Sequence, residues 1–203
     1  KFFDCFHFIF LNTKVKLILN FLEQLRASCE QRKIPLISRE TQAILAGTLK
    51  KHQPKTCLEI GSAVGYSSIF IANIIQEWWG QLTSFEVAYP SYLEAQYNIH
   101  QTKLTNITLY PFDITKLQSS RAILPKQSDF VFIDAQKSQY GSYLEKIQEK
   151  LSSENTILLD DILKYQTKLD WLYKFLKENQ INYEIFESEP GDGVMLIHNL
   201  PIK

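Results

Sequence analysis

The chain has 203 residues, of which 45% are hydrophobic and 22% charged, and its 22 basic residues balance its 22 acidic ones. A net charge of zero gives no overall attraction to nucleic acid or to an anionic membrane. The length suits one domain over 1–203, with an N-terminal arm and helices in 1–53 and an α/β core in 54–203. The cysteines Cys5, Cys29 and Cys57 are far apart and suggest buried thiols rather than a disulfide framework, which predicts a cytoplasmic protein.

The first residues, KFFDCFHFIFLNTKVK, are rich in aromatic side chains. A signal peptide is one interpretation, but Asp4 and His7 interrupt the apolar run and no small-residue cleavage site follows. The run is also too short to span a bilayer, so we expect no membrane partner. We expect this segment to be an arm or helix that packs on the domain or on a second subunit, in a homodimer.

Helical periodicity comes first along the chain. It covers 15–33 until Pro35 breaks it, and Ser38 is placed to cap a second helix over about 39–51. Strand-like runs then follow at 56–60, 82–87, 106–110, 129–134, 156–160, 182–187 and 193–198. Helical stretches lie between most of them, at 65–79, 90–102, 138–151 and 166–179.

This alternation predicts an α/β fold whose helices cover both faces of a parallel sheet. We expect a Rossmann-like, doubly wound, seven-stranded and mostly parallel sheet, preceded by N-terminal helices. The turn-rich link SEPGDG joins the last two strands without a helix, which predicts an antiparallel edge strand. Ligands of such sheets sit at the carboxyl ends of the strands. The residues at those ends are mostly acidic: Glu59, Glu86, Asp113, Asp134, Asp160 and Asp161.

The stretch LEIGSAVGYSS, residues 58–68, combines a tight turn with an acid. Gly61 and Gly65 let the backbone bend and a ligand approach, and the next helix directs N–H groups at that ligand. The spacing is not the G-x-G-x-x-G of dinucleotide sites, and Glu59 would repel a phosphate but can pair with an ammonium. With Glu86 placed for ribose hydroxyls, these features favour S-adenosylmethionine. The alternative is an ordinary strand-to-helix turn with solvated acids.

A second acidic cluster follows two later strands. Asp134 ends the run DFVFID, Lys137 comes three residues later, and Asp160 and Asp161 follow TILL. Neighbouring carboxylates repel one another unless a cation is present, and their oxygens suit Mg²⁺ or another hard divalent cation. The alternative is that an aspartate caps the following helix or loop. The three aspartates beside a lysine favour the metal site.

Several motifs resemble the metal-dependent O-methyltransferases, the catechol and caffeoyl-CoA methyltransferase family, over about residues 20–198: LEIGSAVGYSS, SFEVAYPSYLEAQYNI, FVFIDAQKSQYGSYLE, ILLDDIL and EPGDGVMLI. The resemblance implies an enzyme that uses S-adenosylmethionine and Mg²⁺ to methylate a hydroxyl group. It implies cofactor contacts at Glu59, Gly61, Ser62, Gly65, Tyr66, Ser67, Glu86, Asp113 and Asp134. It also implies catalytic roles for Lys137 and Asp134, and metal ligands at Asp134, Asp160 and Asp161.

The resemblance has two departures. Asp161 stands where the family usually has Asn, which keeps an oxygen ligand and adds charge. The family's longer loop beyond this position, which helps shape the acceptor pocket, is shortened here, and we expect a more open pocket. The implied chemistry is in-line displacement: the cation lowers the pKa of the acceptor hydroxyl, and Lys137, with its own pKa lowered by that cation, takes the proton or stabilises the oxyanion.

The acceptor stays open between two kinds. A small phenol or catechol is the family's common substrate, whereas FIDAQKSQY and PGDG also resemble the bacterial tRNA-hydroxyuridine methyltransferases. Basic residues that could contact tRNA phosphates, or form a solvated helix face, crowd the first quarter of the chain: Lys14, Lys16, Arg26, Arg32, Lys33, Arg39, Lys50 and Lys51. A nicotinamide-dependent oxidoreductase is disfavoured by the glycine spacing. A non-catalytic cofactor-binding protein is compatible with the shortened loop.

Overall fold

The computed structural model describes residues 2–117 and 123–202, with side chains from Thr13 onward. Within those residues, seven strands form one sheet: β1 (Thr56–Ile60), β2 (Gln81–Phe85), β3 (Ile107–Tyr110), β4 (Ser128–Ile133), β5 (Leu151–Leu159), β6 (Tyr183–Glu189) and β7 (Asp192–His198). The strand order is β3-β2-β1-β4-β5-β7-β6. Strands β1 to β5 are parallel, and β7 runs antiparallel to both β5 and β6. The predicted mostly parallel sheet with its antiparallel edge is confirmed.

Six α-helices surround this sheet in the described part of the chain: α1 (Phe2–Arg32), α2 (Arg39–His52), α3 (Tyr66–Ile75), α4 (Tyr89–Thr102), α5 (Tyr140–Ile147) and α6 (Asp170–Glu178). Ser38 caps α2 as predicted, because its hydroxyl accepts a hydrogen bond from the Thr41 N–H at 2.9 Å. The aromatic start of the chain contributes the backbone of α1, but its side chains, including Cys5, lie outside the described residues. No helix within those residues is long and apolar enough to cross a membrane.

The central strands are buried on both faces, which explains why they are continuous apolar runs in the sequence. In β4, Phe130 and Phe132 pack toward α1, α2 and α3, whereas Val131 and Ile133 pack toward α5 and α6. This alternation follows from the two-residue period of a strand. Cys57 of β1 is buried on the same face of the sheet as Phe130 and Phe132, as expected for an unpaired thiol.

Backbone pairing continues one residue beyond four of the parallel strands and builds the rim that carries the predicted site. The hydrogen bonds run from the Asp160 N–H to Ile133 O, from Asp134 to Ile60, from Gly61 to Phe85 and from Glu86 to Tyr110, at 2.9–3.0 Å. The first residues after these strands therefore lie side by side. The sequence distance between them is large, but the sheet brings them to one edge.

Candidate functional site

The glycine turn after β1 is fixed by steric requirements. Gly61 has φ +93°, and a Cβ atom there would lie 2.1 Å from the Asp134 carbonyl oxygen. Gly65 has φ +87° and immediately precedes α3, and a Cβ atom there would lie 3.2 Å from Ala95. The two glycines thus allow the turn to pass close to β4 and α4. The first N–H groups of α3 face the rim, where helix geometry favours a negatively charged group.

Glu59 lies within β1 and is fully buried, with 0% of its surface exposed. Its Oε2 accepts hydrogen bonds from the hydroxyls of Ser84, at 2.6 Å, and Ser68. Burial raises the pKa of Glu59 to about 7, although the serine hydrogen bonds partly oppose this. Its Oε1 and the Ser62 hydroxyl are buried without a hydrogen-bond partner within the described residues. A polar ligand at this turn would satisfy both atoms, so the turn fits the predicted cofactor.

Glu86 follows β2 and holds the glycine turn in place. Its two carboxylate oxygens accept hydrogen bonds from the N–H groups of Ala63, at 2.8 Å, and Ala88, at 2.7 Å. Asp113 caps a short 3₁₀ turn, because its Oδ1 accepts hydrogen bonds from the Thr115 N–H and hydroxyl. Carboxylate oxygens have further acceptor capacity, so the cofactor roles of both acids stay predictions.

Tyr66, a predicted cofactor contact, has its side chain buried among the N-terminal helices. Its ring is 1% exposed, and its hydroxyl contacts Arg26 Nε at 3.2 Å and Gln42 Oε1 at 3.2 Å. Arg26 also donates to the Ile37 carbonyl at 2.9 Å. This buried network joins the glycine turn to the helices α1 and α2. Ser67, the next predicted residue, is 7% exposed and lies in the first turn of α3.

The second cluster centres on the ammonium of Lys137. This group lies 2.8 Å from Asp134 Oδ1 and 3.0 Å from Asp161 Oδ2, and it donates to the Tyr140 hydroxyl at 2.8 Å. Asp160 is 4% exposed, and its Oδ1 accepts a hydrogen bond from the Thr41 hydroxyl of α2 at 3.1 Å. The predicted acids and lysine are therefore brought together. Sequence reasoning missed Thr41 and Tyr140, although the latter stands three residues after the lysine.

The charges of this cluster act on one another. Burial, together with the charges of Asp134 and Asp161, raises the pKa of Asp160 to about 7. Burial alone would lower the pKa of Lys137, but Tyr140 and the two neighbouring aspartates outweigh it and raise that pKa above its ordinary value. The lowered pKa that we expected for Lys137 depends on a bound cation and stays a prediction. The protein groups by themselves thus keep Lys137 as an ammonium.

A divalent cation would have to share this rim with Lys137. Among the side chains that the structure describes, no three acidic, histidine or cysteine residues are arranged around one point as metal ligands. The ammonium lies between Asp134 and Asp161 instead. The donor set nevertheless fits a hard cation, because it consists of carboxylate oxygens that carry more negative charge than one lysine neutralises. A metal shared by Asp134, Asp160 and Asp161 stays a prediction.

A cavity of about 640 Å³ opens beside the acidic cluster. Its other walls come from segments that are distant in sequence: Pro35, Leu36 and Ser38 between α1 and α2, Lys164, Tyr165 and Lys168 after β5, and Ser188, Glu189 and Asp192 around the β6–β7 turn. Sequence reasoning identified none of these as pocket residues. The EPGDG motif, which contains Glu189 and Asp192, was the available signal for the last wall.

The sheet order, the glycine turn and the acidic rim define a Rossmann-like enzyme fold with its ligand site at the carboxyl edge. The sequence matches a family model described as O-methyltransferase over residues 13–170. The chain therefore belongs to the O-methyltransferase family.

Solved structures agree with this assignment at the level of the fold. A candidate caffeoyl-CoA O-methyltransferase from Staphylococcus aureus superposes with a TM-score of 0.77 at 19% identity, over 88% of this chain and 92% of that one. An O-methyltransferase from Bacillus cereus in complex with S-adenosylhomocysteine gives 0.73 at 17%, over 88% and 90%. The O-methyltransferase TomG from Streptomyces achromogenes, in complex with S-adenosylmethionine, gives 0.73 at 16%, over 89% of each chain.

Proposed function

We propose that this O-methyltransferase transfers the methyl group of S-adenosylmethionine to a hydroxyl of a small phenolic or catechol-type acceptor, with Mg²⁺ or another divalent cation at the acidic cluster. One observation carries the proposal. The partly buried Lys137 and the aspartates around it line a cavity of about 640 Å³ beside the glycine turn. A volume of this size suits a small molecule.

The donor would lie over the glycine turn. Its carboxylate can accept hydrogen bonds from the first N–H groups of α3, and its ammonium can approach Glu59 Oε1, which has no partner within the described residues. Glu86 stands on the neighbouring strand end, where ribose hydroxyls are bound in related folds. When bound, the donor supplies an electrophilic methyl group.

The acceptor would lie in the cavity with one hydroxyl toward the acidic cluster. Asp134, Asp160 and Asp161 would hold a divalent cation, which lowers the pKa of a nearby hydroxyl. Lys137 is anchored by Tyr140 and Asp134, and its ammonium would stabilise the negative charge that develops on the acceptor oxygen. The α1–α2 linker covers one side of the cavity and limits access of water.

The tRNA alternative receives less support from the N-terminal surface. Arg26 is 8% exposed and engaged in the core, while Arg32 pairs with Glu94 at 2.7 Å and Arg39 pairs with Glu23 at 2.5 Å. Three of the basic residues that we considered for phosphate contacts are therefore buried or already paired. A small acceptor fits the cavity without needing that surface.

Methyl transfer from labelled S-adenosylmethionine to catechol and to bulk tRNA tests the proposal directly. We expect catechol to be methylated with Mg²⁺, and we expect EDTA to stop the reaction until Mg²⁺ is restored. Asp160→Asn should lose turnover by about 100-fold or more while S-adenosylhomocysteine affinity, measured by calorimetry, changes little. Glu145→Gln, an exposed change on α5, is the matched control.

Each other outcome contradicts a stated part of the proposal. Undiminished turnover in a metal-free preparation would refute the role of the cation. Methylation of tRNA but of no catechol would refute the small acceptor. Tight binding of the donor with no transfer to any acceptor would show a non-catalytic cofactor-binding protein.

A further inference from the structure

The short segment after β5 is fixed to the sheet. The Ile162 N–H donates to the Gly193 carbonyl at 2.9 Å, and the Lys164 N–H donates to Asp192 Oδ1 at 3.3 Å. A 3₁₀ turn over Gln166–Lys168 follows at once. The residues of this segment that face the cavity are thus held in place by backbone hydrogen bonds, at the position where the sequence indicated a shortened loop.

Two lysines of this segment surround one aromatic ring. Lys164 Nζ lies 5.6 Å and Lys168 Nζ 4.9 Å from the centre of the Tyr165 ring. All three residues line the cavity, and within the described residues neither lysine forms an ion pair. Two ammonium groups held near one ring repel each other. A negatively charged ligand group between them would relieve that repulsion.

The lining of the cavity carries charges of both signs. The acidic cluster surrounds Lys137, whereas Lys164 and Lys168 belong to the segment after β5. Two acids of the β6–β7 turn also line the cavity: Asp192 is 6% exposed and accepts the N–H groups of Gly193 and Lys164, whereas Glu189 is exposed. Within the described residues neither acid forms an ion pair with Lys164 or Lys168, so both ammonium groups can bind an anionic ligand group.

We infer that the acceptor is an aromatic diol that carries an anionic substituent, such as a carboxylate, on the side away from its reacting hydroxyl. The inference rests on the proposed function and names its substrate class. The hydroxyl lies at the acidic cluster, the ring packs against Tyr165, and the anionic group binds Lys164 and Lys168. A neutral catechol would use the contacts at the acidic cluster and the Tyr165 ring alone.

A matched pair of acceptors tests this inference. In 3,4-dihydroxybenzoate and 3,4-dihydroxybenzamide the ring diol is the same, but only the first carries a charge. We expect kcat/KM to favour the benzoate about 10-fold, since each exposed lysine–carboxylate pair contributes a few-fold. The double substitution Lys164→Gln and Lys168→Gln should reduce that ratio to about 1–2, and high salt should reduce it in the wild type. Lys177→Gln, an exposed change on α6, should keep the ratio.

Affinity measurements separate this inference from the proposed function. The affinity of each acceptor is measured by calorimetry with Mg²⁺ and S-adenosylhomocysteine present, so that it can be compared without turnover. Equal affinity for the two acceptors, or a preference that survives the double substitution, overturns the anionic subsite even if both are methylated. Preferential binding of the benzoate with no methylation of either compound upholds the subsite and refutes the proposed reaction.

Discussion

Glu59 provides a prediction about the stability of the protein as a function of pH. Its carboxyl group is fully buried, Ser68 and Ser84 donate to one oxygen, and the other oxygen has no partner within the described residues. Burial raises its pKa from the ordinary 4.5 to about 7. The folded protein therefore binds this proton more tightly than the unfolded chain does.

The sign and size of the effect follow from this difference. Between pH 4.5 and 7 the unfolded chain loses the Glu59 proton while the folded chain keeps it. The free energy of unfolding thus decreases as the pH rises through this window and levels off above it. Because a change of one unit in a pKa corresponds to about 1.4 kcal/mol, the raised pKa of Glu59 corresponds to roughly 3 kcal/mol of stability. Glu59→Gln removes this pH-dependent contribution. The amide N–H group that it introduces has no partner, and the resulting loss of stability does not depend on pH.

Urea denaturation of the wild type and Glu59→Gln from pH 4.5 to 8.5 measures the difference. Asp160, whose pKa is also raised to about 7, titrates in the same window but is common to both proteins and cancels. We expect the variant to gain stability relative to the wild type as the pH rises, by roughly 2–3 kcal/mol between the ends of the range. A difference that is constant with pH would refute the argument, because it would mean that Glu59 ionises normally in the fold.

Two substitutions, Gly61→Ala and Arg26→Met, test the packing around the glycine turn, and Gly191→Ala is the control for the first. Gly61→Ala should cost more than about 3 kcal/mol, since its Cβ atom would overlap the Asp134 carbonyl, whereas Gly191→Ala, with φ +83° and open space, should cost about 1–2 kcal/mol. Equal losses in urea denaturation would contradict the clash. Arg26→Met should cost about 2–4 kcal/mol and weaken S-adenosylhomocysteine binding, because the Tyr66 hydroxyl and the Ile37 carbonyl lose a buried donor. A loss below about 0.5 kcal/mol would show that this network contributes little.

The sheet could be predicted well because its central strands have a strong and local signal. Runs such as FVFI in β4 are apolar at every position, which is typical of a parallel strand between two layers of helices. The start of β5 was harder to predict, because the exposed polar residues Ser153 and Glu154 lie within it next to a shift in register. A polar stretch of this kind has the sequence pattern of a loop.

The site could be predicted only where its residues follow the strands. Asp134 and Asp160 come directly after β4 and β5, so the topology of a parallel sheet places them at one rim. The position of the cavity-wall residues follows from no such rule of topology. Thr41, Lys164 and Asp192 reach the cavity through the packing of helices, a short loop and an antiparallel turn, and no local pattern encodes those contacts.

The helices before β1 are part of the same unit as the acidic rim. Ile18 and Leu22 of α1, with Leu45 of α2, are buried in one cluster with the sheet. Two polar contacts join these helices to the site itself: Arg26 binds the Tyr66 hydroxyl at the glycine turn, and Thr41 binds Asp160 at the acidic cluster. Since the linker between α1 and α2 also forms a wall of the cavity, a movement of these helices would change the glycine turn and the acidic cluster together. In the function that we propose, the distance between donor and acceptor would therefore depend on the N-terminal helices as well as on the sheet.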